Sequence, residues 1–367
     1  MDPLTQGTLG AALPQATAGR GRMGLATLAG FLGGMAPDLD VLIRSSEDPL
    51  LFLEYHRQFS HSLVFIPLGA ALVAALLWVV AGRRRGWPPR ALYGFCLLGY
   101  ATHGVLDACT TYGTLLLWPF SDRRFAWNAV SIIDPLLSLP LLGLVVVSRL
   151  SGRALFARIG LAWVLFYLCL GLVARNTAQE QGLRLAAARG HTPASIDARP
   201  SFANLLVWKL IYRAGDYYYV DALRLGAAPC VYRGERIAAL DLRRDLPGLD
   251  PDSQQARDIE RFRWFSMGYL ALDPAHAGRI VDLRYSLLPN EIRPLWSIDV
   301  DRAAPAQQHV AYRTHRAGRE GALRRLGLMI RGKPLPPVAG AGSGGDRQAA
   351  ACQLASAASR AAPVATP

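Results

Sequence analysis

The sequence predicts a polytopic α-helical membrane protein of four or five spans, followed by an extracytoplasmic β-rich domain and a disordered tail. Three observations predict it. Of 367 residues, 51% are hydrophobic and 18% charged, where soluble domains average roughly 25% charged. Four apolar runs approach the about 20 residues that cross a bilayer. Beyond residue 174 the long runs give way to short alternating ones.

The N-terminus opens with "LTQGTLGAALPQA" and "MGLATLAGFLGGMA", separated by Arg20 and Arg22. Each would form about 21 Å of helix, short of the roughly 30 Å hydrocarbon core. Two arrangements stay open: a paired hairpin dipping inward, or a crossing by the second alone. This weaker region, Met23–Ile43, is interrupted by "PDLD". A cleaved signal peptide is not expected, since no basic n-region precedes the first run. The stronger spans are Ser62–Ala81, Ala91–Ala108, Ile133–Ser148 and Ile159–Ala174. Two arginine-rich loops, Arg83–Arg90 and Arg149–Arg158, join them in pairs. The positive-inside rule places both loops in the cytoplasm and the other span ends outside.

Arg175–Arg189 reads as a helical extension closed by Gly190. Then "DYYYVDALRLG", "RIAALDL", "RWFSMGYLAL", "RIVDLRYSLL", "LWSIDVD" and "HVAYRTHR" alternate with period two, as an antiparallel sheet requires. "LLPNEIRPLW" links two of these strands. From residue 334 the chain is rich in Ala, Gly, Ser and Pro and has little to bury. The expected domains are therefore 1–175, transmembrane and metal-binding; 176–333, the extracytoplasmic sheet domain; and 334–367, the tail.

The net charge of +13 is almost wholly arginine, because Lys209 and Lys333 are the only lysines. Arginines set between apolar runs point to topology and lipid, and no nucleic-acid motif stands out. Of five cysteines, Cys96, Cys109 and Cys169 lie in apolar runs, and Cys230 and Cys352 are far apart. Buried free thiols are expected rather than a disulfide framework.

Polar residues converge on one mouth of this map. Asp38 and Asp40 follow the first region. His56 and His61 precede the first strong span, His103 and Asp107 close the second, and Asp134 opens the third. All are assigned to the outer face by the arginine loops alone. Carboxylates and imidazoles at a membrane edge need partners, and a divalent ion suits both ligand types. His103 and Asp107 are spaced i,i+4 on one helical face. His56 and His61 share no helical face, so the chain must bend between them. Ser60 is placed to cap the following helix, leaving His56 in the loop and His61 in its first turn. Pro37 should end a helix, letting Asp38 and Asp40 point alike from extended chain.

Each element also has a plainer reading: a solvated loop for Asp38 and Asp40, a helix cap for Asp134, hydrogen-bonded edge histidines. Arg57, Arg123 and Arg124 are candidates to grip an anionic substrate or to meet lipid headgroups. Trp118, Phe125 and Trp127 read as an interfacial aromatic belt.

"MDPLTQGTLGAA", "GGMAPDLDVL", "YHRQFSHSL", "HGVLDACTTYGTLLLWPFSDRRF" and "IIDPL", in that order, resemble a bacterial inner-membrane family. Its members are described as membrane-bound, metal-dependent hydrolases and as LexA-binding, inner-membrane-associated proteins. The resemblance covers about residues 1–175, and more loosely the sheet domain through "LLVWKLIY". It implies metal-dependent hydrolysis, with Asp38, Asp40, His56, His61, His103, Asp107 and Asp134 as the matching candidates. One departure is visible: where members often read "DPxTH", Gln6 replaces the histidine.

The expected function is hydrolysis of an ester or phosphoester, lipid substrates included, at the outer face of the bacterial inner membrane. The ion would be zinc, with manganese as the alternative, and Asp40 or Asp134 the general base. One rival is a non-enzymatic membrane protein with a structural metal and a partner-binding periplasmic domain. A transporter would need mid-span acids and internal repeats, and the sequence has neither.

Overall fold

Helix-forming runs rich in Ala, Leu and Gly occupy the first half of the chain, and β-branched and aromatic alternation the second. The computed structural model describes residues 1–227, 229–315, 319–335 and 353–354. It divides into two units, the first built on Met1–Ser46, Leu51–Val173 and Phe202–Asn204, the second on Glu47–Leu50, Ala174–Ser201 and the chain from Leu205 onward.

In the first unit, α1 (Pro3–Thr17) starts where the Asp2 carboxylate accepts from the Thr5 backbone N–H at 3.0 Å and from Thr5 Oγ1 at 2.6 Å, an N-cap followed by proline. A turn at Arg20–Arg22 leads into α2 (Met23–Met35), which tightens into a 3-10 segment, Ala36–Leu42. Thus Pro37 does not release extended chain. Residues i and i+2 of a 3-10 helix lie about 240° apart, so Asp38 and Asp40 face different ways. Next come α3 (Leu51–Tyr55), a 3-10 turn at Phe59–His61, α4 (Ile66–Leu77), a π turn at Trp78–Gly82 and α5 (Arg83–Arg85), stopped by Gly86 at φ +63°. Then follow α6 (Pro89–Ala108), α7 (Pro135–Ser151) and the 35-residue α8 (Ala154–Ala188).

Among the described residues, three segments are long and apolar enough to cross a membrane: Arg20–Leu42, Ile66–Arg85 and Ala154–Ala188. The expected count of four or five also drew on α6 and α7. At 17 residues α7 is a shorter apolar helix, and the 20 residues of α6 include Arg90, His103 and Asp107.

Small residues draw these helices together. Gly99 of α6 touches α2 so closely that an added Cβ would sit 2.2 Å from Gly30 O, and one on Gly30 would sit 2.3 Å from Gly10 O on α1. Close backbone approach of this kind supplies packing where lipid offers no hydrophobic drive between helices. α1 and α2 are paired, as in one of the two arrangements left open.

In the second unit, β1 (Ile196–Pro200), β2 (Val207–Ala214), β3 (Tyr217–Arg224) and β4 (Cys230–Ala238) pair antiparallel in sequence order. After α9 (Leu242–Asp245) and α10 (Gln254–Phe265), a second antiparallel sheet follows: β5 (Leu270–Leu272), β6 (Arg279–Asp282), β7 (Trp296–Asp299) and β8 (Ala311–Thr314). Then come α11 (Arg319–Ile330) and β9 (Gln353–Leu354), which pairs with β4. Trp208, Leu210 and Tyr212 of β2 are buried against Ala178 and Ala186 of α8.

Alternation located β3 and β5–β8, and the link between β6 and β7. It missed β1, β2, α9 and α11 and reached β4 only at its end, through "RIAALDL"; "RWFSMGYLAL" divides between the end of α10 and β5. There Ser253 caps the helix and Ile259, Phe262 and Phe265 form its buried face, a helical period rather than a strand period. Most of the expected tail lies outside the described residues; Leu335 is buried in the second unit. The cysteine expectation is corrected twice. Cys96 and Cys109 are buried free thiols, but Cys169 is exposed and Cys230 is disulfide-bonded.

Candidate metal centre

Four ligand atoms meet in the first unit. Asp38 comes from the 3-10 segment after α2, His61 from the Phe59–His61 turn, and His103 and Asp107 from α6. One ligand atom from each lies within 4.8 Å of all the others. His61 Nε2 and His103 Nε2 are 2.9 Å apart. Asp38 Oδ1 is 3.6 Å from the first and 3.4 Å from the second. Asp107 Oδ2 is 3.3 Å and 3.9 Å from them. A tetrahedral ion with ligands at about 2.0–2.2 Å has edges of about 3.3–3.6 Å, and these separations bracket that value.

Hydrogen bonds behind the rings fix what they present. His103 Nδ1 lies 2.5 Å from Gly34 O, and a carbonyl only accepts, so Nδ1 carries the proton. Ser60 Oγ donates to Asp40 Oδ2 at 2.6 Å. His61 Nδ1, 3.0 Å from Ser60 Oγ and 3.2 Å from Asp40 Oδ2, is therefore a donor as well. Both Nε2 atoms then direct lone pairs at each other and at two carboxylates. Four acceptors so arranged repel unless a cation lies among them. Asp107 Oδ2 is fully buried and accepts no hydrogen bond, although Arg57 Nε stands misaligned at 3.0 Å. The donor set thus fits a divalent metal, with partners behind the histidines of the kind that orient metal ligands.

Local sequence explains the assembly. The i,i+4 spacing on α6 places His103 and Asp107 on one face. Gly104 beside them lets α6 meet the His61 backbone: an added Cβ would sit 2.3 Å from His61 O. Tyr100 OH donates to Ser60 O at 2.8 Å, securing the same turn. Ser60 does not cap α4, which begins only at Ile66; its hydroxyl is engaged by Asp40 instead.

The other candidates lie outside this group. Asp40 is buried and accepts from Ser60 Oγ, from the Arg57 backbone N–H at 3.0 Å and from His56 Nδ1 at 2.7 Å. It stands behind His61 and His56 as an acceptor. Asp134 caps α7 through the Leu136 N–H and receives Tyr167 OH at 3.0 Å. Arg57 is buried, donates to Thr110 Oγ1 at 3.1 Å and lies over the Tyr112 ring at 4.6 Å. Its φ of +67° is unusual for a side-chain-bearing residue and is held by the Asp40 contact and by Leu115 N–H bonding to Arg57 O at 3.0 Å. Strained backbone of this type gathers at functional sites. Arg124 is buried and donates to Gly113 O at 2.9 Å. Arg123 is exposed and stacks on Phe125.

Sequence reasoning missed two contributors. Gln6, noted only as a departure, is fully buried and donates to Asp107 Oδ1 at 2.8 Å, orienting the carboxylate rather than offering a ring nitrogen. Ser60 was read as a cap. The serine one position before His61 was the available signal for its place behind the imidazole.

Residues 1–178 match the model of the YdjM inner membrane protein family. The chain is 37% identical over 111 residues to inner membrane protein YbcI of Escherichia coli (strain K12), a match covering 28% of this chain and 60% of that protein. The chain thus spans about 60% of the length of that curated relative. No solved structure matches. The matched residues 1–178, which carry all four ligand residues, are thus similar to the YdjM inner membrane protein family.

Proposed function

We propose that the first unit is a metal-dependent hydrolase acting on an ester or phosphoester, lipid esters included, at the outer face of the inner membrane. One observation carries this reading. Three of the four ligand side chains are sealed at 0% exposure, while that of Asp38 is 20% exposed. A metal there would be gripped from within and approached from the Asp38 side. When bound, the metal would lower the pKa of a water and polarise the scissile ester. Zinc suits two imidazoles and two carboxylates, and manganese is the alternative.

The chain's own residues serve the rest. Asp40, one of the two expected general bases, is occupied by three donors and Asp134, the other, caps α7, so we assign proton acceptance to His56. Its ring is 18% exposed and is held through Nδ1 by Asp40. Arg57 orients Asp107 and brings positive charge beside the group. Asp134 has no part in the chemistry. The arginine loops support an outer-facing site, an extracytoplasmic second unit and four or five spans, with α6 and α7 crossing. The bilayer is then the protein's immediate partner, and no nucleic acid is needed.

A second reading is favoured by the ligand count. Four protein ligands complete a tetrahedron, as structural sites do, and the metal would then tie α2 to α6 in a non-enzymatic membrane protein. A screen of detergent-purified protein against phosphoesters and lipid esters separates the two. Turnover that is lost in Asp38→Ala and abolished by chelation supports the hydrolase. Metal-loaded wild type without turnover of either ester class supports the structural reading.

A further inference from the structure

Independently of any hydrolase activity, we propose that the turns α1–α2 and α7–α8 together form a binding site for the phosphate headgroup of an anionic glycerophospholipid. Arg20 lies in the first turn, Arg149 ends α7, Arg153 lies between α7 and α8, and Arg158 is in the first turns of α8. They are brought together by contacts across the two turns. The aliphatic part of Arg20 lies against Gly152, and the Arg149 guanidinium lies against Gly24 at the start of α2. Arg158 Nε donates to Ala16 O, at the end of α1, at 3.1 Å. All four side chains are exposed.

The charge is uncompensated. The sequence has no Asp or Glu at 3–37 or at 135–179. None of the four arginines forms an ion pair among the described residues. Each therefore keeps donors for an external anion, and Arg favours phosphate geometry.

Neighbouring side chains select the kind of anion. Leu150, next to Arg149, is 79% exposed, and Leu155, two residues after Arg153, is 59% exposed. Val146 and Val147, one turn back on α7, are exposed as well. Apolar side chains alternating with arginines at helix ends suit acyl chains beside phosphates, as basic pockets between membrane helices do. A nucleic acid or a soluble acidic protein would leave those leucines in water.

The test uses the full chain in mild nonionic detergent with native mass spectrometry. Phosphatidylglycerol and phosphatidylcholine are supplied at equal concentration, with an inorganic phosphate competition arm. Wild type is expected to retain phosphatidylglycerol about tenfold over phosphatidylcholine. The triple variant Arg149→Gln, Arg153→Gln, Arg158→Gln should lose that preference, since each arginine at an anionic surface is worth roughly a fivefold factor. A control triple, Arg83→Gln, Arg84→Gln, Arg85→Gln, should change it less than about twofold. Equal retention of both lipids by wild type overturns the proposal without recourse to any variant. So does an equal loss in both triples. Displacement of the lipid by inorganic phosphate would make the site one for free phosphate and overturn the lipid assignment.

Discussion

Replacing Asp40 with asparagine separates a ligand from the residue that holds one. The Asp40 carboxylate spans two environments. Oδ2 receives Arg57 N–H and Ser60 Oγ and faces His61 Nδ1, while Oδ1 meets His56 Nδ1. An asparagine can keep its carbonyl oxygen at the Oδ2 position and place its amide at Oδ1. The turn should therefore persist, but the charge that raises His61 basicity is gone and the His56 bond is lost. Removing a partner behind a ligating histidine costs roughly 10–100-fold in metal affinity, or about 1.4–2.7 kcal/mol. Competition against a chromophoric zinc chelator in detergent measures this directly, with His103→Ala as the reference for loss of a true ligand. We expect Asp40→Asn to weaken zinc within that range and His103→Ala to weaken it far more. Unchanged affinity would refute a supporting role for Asp40. A loss as deep as that of His103→Ala would make Asp40 a ligand and refute the reasoning from its hydrogen bonds.

Three further outcomes follow from the same coordinates. Asp134→Ala should leave metal content at the wild-type level and cost about 1 kcal/mol of stability through the lost cap on α7; metal loss measured by elemental analysis would return Asp134 to the site. Gly99→Ala places a Cβ 2.2 Å from Gly30 O, so α2 and α6 must separate at a cost of about 1–3 kcal/mol; a detergent melting curve identical to wild type would contradict that contact. Burial pushes the Lys209 amine down to about 7, while it donates to Ser286 Oγ at 2.7 Å and Glu291 O at 2.9 Å. Between that value and its unfolded pKa near 10.4, the unfolded chain binds the extra proton. Stability of the second unit should then rise with pH, by up to about 1.4 kcal/mol per unit. Lys209→Met should flatten that rise, and an unaltered slope in hydrogen exchange of the β2 amides would exclude Lys209 as its source.

Much of this was legible in the sequence, for identifiable reasons. The apolar runs and arginine loops marked the membrane half because hydrocarbon tolerates so few charges. His103 and Asp107 were read as sharing a face because an α-helix has a fixed period. Asp38 and Asp40 were misread because Pro37 permits a 3-10 continuation as readily as extended chain, and 3-10 geometry turns the two carboxylates apart. Asp134 was assigned the same membrane edge as the other acids, yet a span end has a full circumference, and sequence does not report where on it a residue lies. β1 was missed because it is buried on both faces and shows no alternation, and α11 because Leu326 and Met329 are too few buried residues to set a clear period. Gln6 entered as an irregularity. Its place against Asp107 depends on α1 and α6 both closing on α2, through contacts of Gly10, Gly30 and Gly99 rather than by any motif.

The most direct test of a metal shared by Asp38, His61, His103 and Asp107 is the metal content of the intact, detergent-purified chain by inductively coupled plasma mass spectrometry. We expect close to one equivalent of zinc or manganese in wild type and next to none in His103→Ala, with both proteins equally helical by circular dichroism. Wild type carrying no more metal than the variant would contradict it.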